Sequence, residues 1–170
     1  IPIDEITKNF DKEDFYFLTA VGFKKLNKHR QRIYEMLKQK GFSFTNFISS
    51  EARLVNAKYG ENNIIFEFNN LQSNVSIGNN NIIWSGNHVG HHTKIGNNCF
   101  ITSHVTISGS VTIEDNCFLG VNSTIKDNIL IEKETIVGAG SLILKNNKKN
   151  SVLSSGQSGL SKVSSDKLKM

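Results

Sequence analysis

The sequence predicts a mainly β protein: a coil of short repeats over residues 51–145, preceded by a small α/β unit over residues 1–50 and followed by a tail over 146–170. Three observations carry that reading. From Ile77 onward every sixth residue is aliphatic, through Ile83, Val89, Ile95, Ile101, Ile107, Ile113, Leu119, Ile125, Ile131, Val137 and Ile143. A period of six is neither the roughly 3.6 of a helix nor the 2 of a strand, so each hexad is one side of a coil and buries its apolar residue against neighbouring units. Two positions earlier the side chain is small or β-branched, as at Thr93, Cys99, Val105, Val111, Cys117, Ser123, Thr135 and Ser141, and strand alternation turns both positions inward. Gly78, Gly90, Gly96, Gly120 and Gly138, with Asn79, Asn97, Asn98 and Asn122, crowd the phase just after the aliphatic residue, where corner-tolerant residues belong.

Three hexads close a triangular turn of about 18 residues, and strands about 4.8 Å apart make residues 18 apart stacked neighbours. Cys99 and Cys117 are such a pair. Residues 75–145 then make about four coils. Ile65 and Leu71 already stand in phase within a rougher lead-in over 51–74, and the period is lost after Lys145.

The N-terminal unit follows from different patterns. Ile3 to Phe10 reads as a short helix with Pro2 near its start. Residues 15–21, FYFLTAV, read as a buried strand, with Gly22 at the turn that follows. Asn27 to Lys40 is a helix with Ile33, Tyr34 and Leu37 on one face and Gly41 just past its end, and Phe42 to Ile48 returns as a strand. This is a parallel strand–helix–strand unit. A doubly wound nucleotide domain opens on a strand and a glycine-rich turn, which are absent here along with an initiator Met, so the unit reads as a partial Rossmann-like one whose start is missing.

Composition narrows the function. The 170 residues, 38% apolar, suit one domain or two small ones in contact. There is no apolar run long enough to span a membrane and no secretory leader, so the expected location is the cytoplasm. Two cysteines in an inward phase suit a reduced compartment and a packing role. The net charge of +5 is spread without an aromatic-laced patch, which argues against nucleic acid and leaves room for a nucleotide-sized anion.

The order of parts, with GHHTKIG, ISG, FLGVNSTI and VGAGSLIL inside the coil, resembles the bacterial hexapeptide-repeat sugar acetyltransferases related to sialic acid O-acetyltransferase and bacillosamine N-acetyltransferase. The resemblance spans Ile1 to about Lys145. It implies a left-handed parallel β-helix, acetyl-CoA as co-substrate, a nucleotide-linked sugar as acceptor and a homotrimer with its site between adjacent coils. It also implies His91 as the base, with His92 where the family has an acidic partner. By the same matching, Phe100, Gly109, Val121 and Ala139 fall at cofactor positions, with Phe100 where relatives often carry His. Gly22 and Arg30 fall at the sugar-nucleotide site. Apart from the resemblance, the tail lysines Lys148, Lys149 and Lys162 read first as solvated surface charge, with contact to the cofactor's phosphates as the alternative.

The chemistry of the residues fits independently. An attacking amine or hydroxyl must lose a proton, and an ordinary imidazole, titrating near about 6.5, is mostly free base at neutral pH. The developing oxyanion needs a fixed N–H donor. The repeat period alone stacks Gly109 on His91, one coil along. Direct attack on the thioester follows, because neither inward-facing cysteine is open to serve as a nucleophile.

The same residues admit other readings. His88, His91, His92 and His104 cluster in sequence, and a zinc enzyme of the γ-carbonic anhydrase type is a further alternative; within one chain they fall in different phases and no two are 18 apart, so the ligands would have to meet across a trimer interface. A purely structural β-helix with threonine ladders fails because the threonines scatter over several phases. GAGS at 138–141 sits within the hexad phase, as a corner rather than a phosphate loop. N-acetylation is the expected reaction and O-acetylation the alternative.

Overall fold

In the computed structural model the described residues are 3–156. They form two helices and twenty two-residue strands, eighteen of which wind into a parallel β-solenoid of about six turns. The chain opens with α1, Ile3–Asn9, then β1, Tyr16–Phe17, α2, Lys28–Gln39, and β2, Ser43–Phe44. β1 and β2 pair in parallel across α2, giving a two-stranded hook in place of the expected Rossmann-like unit. The expected 15–21 strand is cut to two residues because Thr19 leaves the sheet and hydrogen-bonds to the coil. The hook has its own small core, in which Leu37, Phe42 and Phe44 pack with Phe17, Ile33 and Tyr34.

The coil begins earlier than expected, at β3, Phe47–Ile48, which pairs with Ile64–Ile65. About six turns therefore stand where four were expected, because winding reaches back through residues 47–74 and on to Val152–Leu153. The lead-in reads as rough because the first turn is one residue short: Phe47 pairs with Ile64 and Arg53 with Asn70, 17 apart, before Lys58 and Ser76 restore the spacing of 18. At the other end Ile136 pairs with Val152 across 16 residues.

Three parallel sheets make three faces. The first face includes Asn70–Leu71, His88–Val89, Thr106–Ile107 and Thr124–Ile125. The second includes Ser76–Ile77, Lys94–Ile95 and Thr112–Ile113, and the third Ile82–Ile83, Phe100–Ile101 and Phe118–Leu119. The hexad aliphatics fill the interior: Ile83, Val89, Ile101, Ile107, Leu119, Ile125, Ile131 and Val137 are fully buried, together with Cys99, Val105, Val111 and Cys117. Each such Val, Leu or Ile is worth about 1.5–3 kcal/mol relative to exposure.

The corners obey the period more strictly than the sequence suggested. At every sixth position, through Asn74, Asn80, Gly86, His92, Asn98, His104, Ser110 and Asn116, the backbone has positive φ. The left-handed residue is thus the third after the aliphatic one, while the glycine directly after it answers to crowding. A Cβ at Gly90 would come within 2.5 Å of the Ser108 carbonyl carbon in the next coil. At the corner between the second and third faces, Asn62, Asn80 and Asn98 are buried and their side-chain amides bond in series, Asn62 to Asn80 and Asn80 to Asn98, each at 2.7 Å. The hook is fastened to this same corner. No helix among the described residues is long and apolar enough to cross a membrane.

Candidate active site at a coil corner

The corner between the first and second faces carries His91, His92, Gly109 and Ser110, stacked as the period requires. The His91 ring lies across the place where a Gly109 side chain would be: a Cβ there would sit 2.7 Å from Cε1 and 2.8 Å from Nε2. Only glycine lets the imidazole occupy that space. The register is held from both sides, since Ser110 N–H donates to the His91 carbonyl at 2.8 Å and the His91 N–H donates to Gln72 Oε1 at 3.0 Å. The Gly109 N–H donates to no other group among the described residues.

His91 Nδ1 lies 3.0 Å from His92 Nδ1, and the rings meet edge to face at 84°. Both histidines are exposed. They border a cavity of about 560 Å³ lined also by Arg53, Asn70, Gln72 and Ser73. Gln72 and the neighbouring Asn74 escaped the sequence reading, although the 18-residue stacking rule places Asn74 directly before His92.

The other expected positions lie elsewhere on the chain. Val121 and Ala139 stack at the corner between the third and first faces, where Gly140 N–H donates to the Val121 carbonyl at 2.8 Å. His104 is at that corner too, its ring over Gly86. His88 is half-buried on the first face. Gly140, with φ of 66°, makes GAGS a coil corner.

Phe100 is turned away from the histidines and is 5% exposed, its ring 5.2 Å from that of Phe23 and stacked on Phe118 at 5.8 Å. The hook therefore covers the side chain that was expected to meet cofactor.

Arg30 calls for a larger correction. It is fully buried and donates to the carbonyls of Val21, Asn80, Asn98 and Cys99 and to Asn27 Oδ1, at 3.0–3.3 Å. Its guanidinium is a bolt between α2 and the coil, with its donors spent on the protein rather than on a sugar nucleotide. Desolvation lowers its pKa to about 10, so it remains charged near neutrality. Asn27 reaches the Cys117 carbonyl and Lys28 pairs with Glu134 at 2.6 Å along the same corner. Gly22, by contrast, is exposed, and a Cβ there would have nothing within 4 Å.

Cys99 and Cys117 are free and buried. The Cys117 sulfur, and then burial, push the Cys99 thiol up, which keeps it protonated and unreactive. Among the described residues no three His, Cys, Asp or Glu side chains converge as metal ligands. Lys148 and Lys149 are exposed, and Lys162 lies outside the described residues.

Residues 74–109 match the family model of the bacterial transferase hexapeptide (six repeats), and residues 110–145 match that of the hexapeptide repeat of succinyl-transferase. The two matches together span residues 74–145, all of it within the coil. No curated protein sequence matches the chain. Among solved structures, PerB from Caulobacter crescentus, in complex with CoA and GDP-perosamine, is similar with a TM-score of 0.84 at 23% identity, covering 89% of this chain and 73% of that one. The acetyltransferase domain of PglB from Neisseria gonorrhoeae reaches 0.84 at 19% identity, covering 89% and 74%. AntD, an N-acyltransferase from Bacillus cereus, in complex with dTDP-4-amino-4,6-dideoxyglucose and coenzyme A, reaches 0.60 at 20% identity, covering 72% and 84%. All three share the fold.

Proposed function

We propose that this chain is an acetyl-CoA-dependent sugar N-acetyltransferase acting on a nucleotide-linked amino sugar. The observation that carries the proposal is the His91 imidazole lying over Gly109, which sets a base and an unpaired backbone N–H side by side. The sugar amine attacks the thioester carbonyl of acetyl-CoA. As the C–N bond forms, His91 Nε2 takes the amine proton and the Gly109 N–H donates to the developing oxyanion. The C–S bond then breaks, and the imidazolium returns the proton to the departing CoA sulfur. No acyl-enzyme is involved, in keeping with the buried thiols. Like-folded proteins solved with CoA and an amino sugar nucleotide support this choice of substrates.

Val121 and Ala139 stand at a different corner from His91, so they meet the same acetyl-CoA only if a second copy brings its corner alongside. We therefore read the working unit as a homotrimer of left-handed β-helices, located in the cytoplasm and serving surface-glycan synthesis. The hook, with Gly22 open beside it, is read as the part that faces the nucleotide of the acceptor. The working domains are a sugar-nucleotide unit ahead of Phe47 and an acyltransferase coil from Phe47 to Leu153.

The test is release of free CoA thiol from acetyl-CoA with a panel of dTDP-, UDP- and GDP-linked amino sugars and their hydroxyl counterparts. Turnover on one amino sugar, giving an amide product, is expected. Turnover restricted to hydroxyl sugars, or none on the panel, would overturn the reading.

A further inference from the structure

The base has an imidazole as its neighbour, and that raises a question of protons. Between two neutral rings whose Nδ1 atoms lie 3.0 Å apart, one nitrogen must carry the hydrogen and the other the lone pair. The next link decides which. His92 Nε2 lies 3.2 Å from the side-chain Nδ2 of Asn74, one coil back in the same column. His92 and Asn74 both occupy left-handed backbone positions, at φ 61° and 62°, and the His92 N–H is fixed to the Ser73 carbonyl at 3.0 Å.

The three side chains admit two proton orders. If the Asn74 NH₂ donates to His92 Nε2, then His92 holds its proton on Nδ1 and donates it to His91 Nδ1. His91 is then protonated on Nε2, the atom over Gly109, and has no lone pair there for a substrate. If the Asn74 carbonyl faces the ring instead, His92 Nε2–H donates to it and His92 Nδ1 accepts from His91 Nδ1–H. His91 Nε2 is then a free base. The structure sets the Nδ2 end toward the ring, which is the first order; the two ends of a side-chain amide fill the same space, and a His91 that acts as the base requires the second, with the Asn74 amide turned end for end.

Resting on the acetyl-transfer reading of this corner, we propose that Asn74 is a positioning residue that sets the tautomer of His91 through His92. The Asn74–His92–His91 row is an uncharged relay standing where the family resemblance leads one to expect a carboxylate. A carboxylate would hold the imidazolium by charge; this relay orients the neutral ring and takes up the Nδ1–H bond without adding a negative charge. The other charged groups at the corner are Arg53, which lines the same cavity, and Asp127, one coil beyond Gly109 and bonded by the Asn128 amide at 2.7 Å.

The experiment is NMR of the histidine ring nitrogens in the intact protein at a pH where both imidazoles are neutral, with Asn74→Gly and Asn74→Asp alongside. Both replacements tolerate a positive φ, so the corner keeps its shape. His91 Nε2 is expected to be unprotonated in the native protein and in Asn74→Asp, and to become a mixture in Asn74→Gly. In the transfer assay Asn74→Gly lowers kcat about tenfold with KM for acetyl-CoA unchanged, while Asn74→Asp restores kcat and moves the acid limb of the pH–rate profile upward, because an anion stabilises the imidazolium. A native His91 protonated on Nε2, or a tautomer and pH profile untouched by Asn74→Gly, would overturn the proposal. Because the tautomer is read without substrate, an Asn74-dependent free Nε2 in a protein that acetylates no amino sugar would uphold the relay and remove the acetyl-transfer reading instead.

Discussion

Two corners of the coil use the same packing device, and only one of them becomes a site. At the corner between the first and second faces, His91 lies over Gly109; at the corner between the third and first, His104 lies over Gly86. In both, ring atoms stand 2.7 Å from where a glycine Cβ would be, and the two residues are 18 apart. What differs is the surroundings. His91 has a second imidazole at 3.0 Å, a Gln72 clamp on its backbone and a cavity beside it, whereas His104 is the one histidine at its corner. The backbone differs too, since Gly86 itself holds a left-handed φ of 75° while the left-handed residue beside Gly109 is Ser110. Stacking of a ring on glycine is therefore a property of the coil; what singles out His91 is that its nitrogens are ordered by neighbours.

That contrast can be broken at the glycines first. Gly109→Ala puts a methyl group into the His91 ring and moves the base, so kcat/KM is expected to fall about 100-fold with the thermal midpoint nearly unchanged, measured by thiol release and by calorimetry. Gly86→Ala does the reverse: transfer persists, while forcing alanine into positive φ costs about 1–2 kcal/mol, read by denaturant unfolding.

The comparison sharpens away from the histidines as well. Arg30→Lys keeps the charge but cannot span the carbonyls that the guanidinium joins, so a loss of about 1–3 kcal/mol is expected by the same unfolding measurement, with KM for the sugar nucleotide unchanged. A rise in that KM without loss of stability would return Arg30 to a substrate role. The smallest effect belongs to the thiols: Cys117→Ala is expected to leave kcat within about twofold and to show no burst of CoA release, as direct transfer requires.

The coil was legible because its rule is arithmetic. A side chain every six residues and a neighbour every 18 placed the interior from Ile77 to Ile143 and stacked Gly109 on His91 before any coordinates. The same arithmetic failed where the chain departs from it, at the short first turn between Leu54 and Lys58 and at the 16-residue step from Ile136 to Val152, which together hid about two turns. Corner glycines misled in a subtler way: Gly90 looked like a bend, but it is small because Ser108 of the next coil presses on it. Arg30 was misread because its partners are main-chain carbonyls, which leave no mark in a sequence. Asn74 was within reach, since it is 18 residues before His92; among the many asparagines of the coil nothing marked it as the one facing a ring.

The most direct test of the account is the rate of CoA release by His91→Ala beside His104→Ala, on the same nucleotide-linked amino sugar. The account predicts that kcat/KM falls about 1,000-fold in the first and stays within about twofold in the second. Near-native turnover by His91→Ala, or equal losses at both corners, would contradict it.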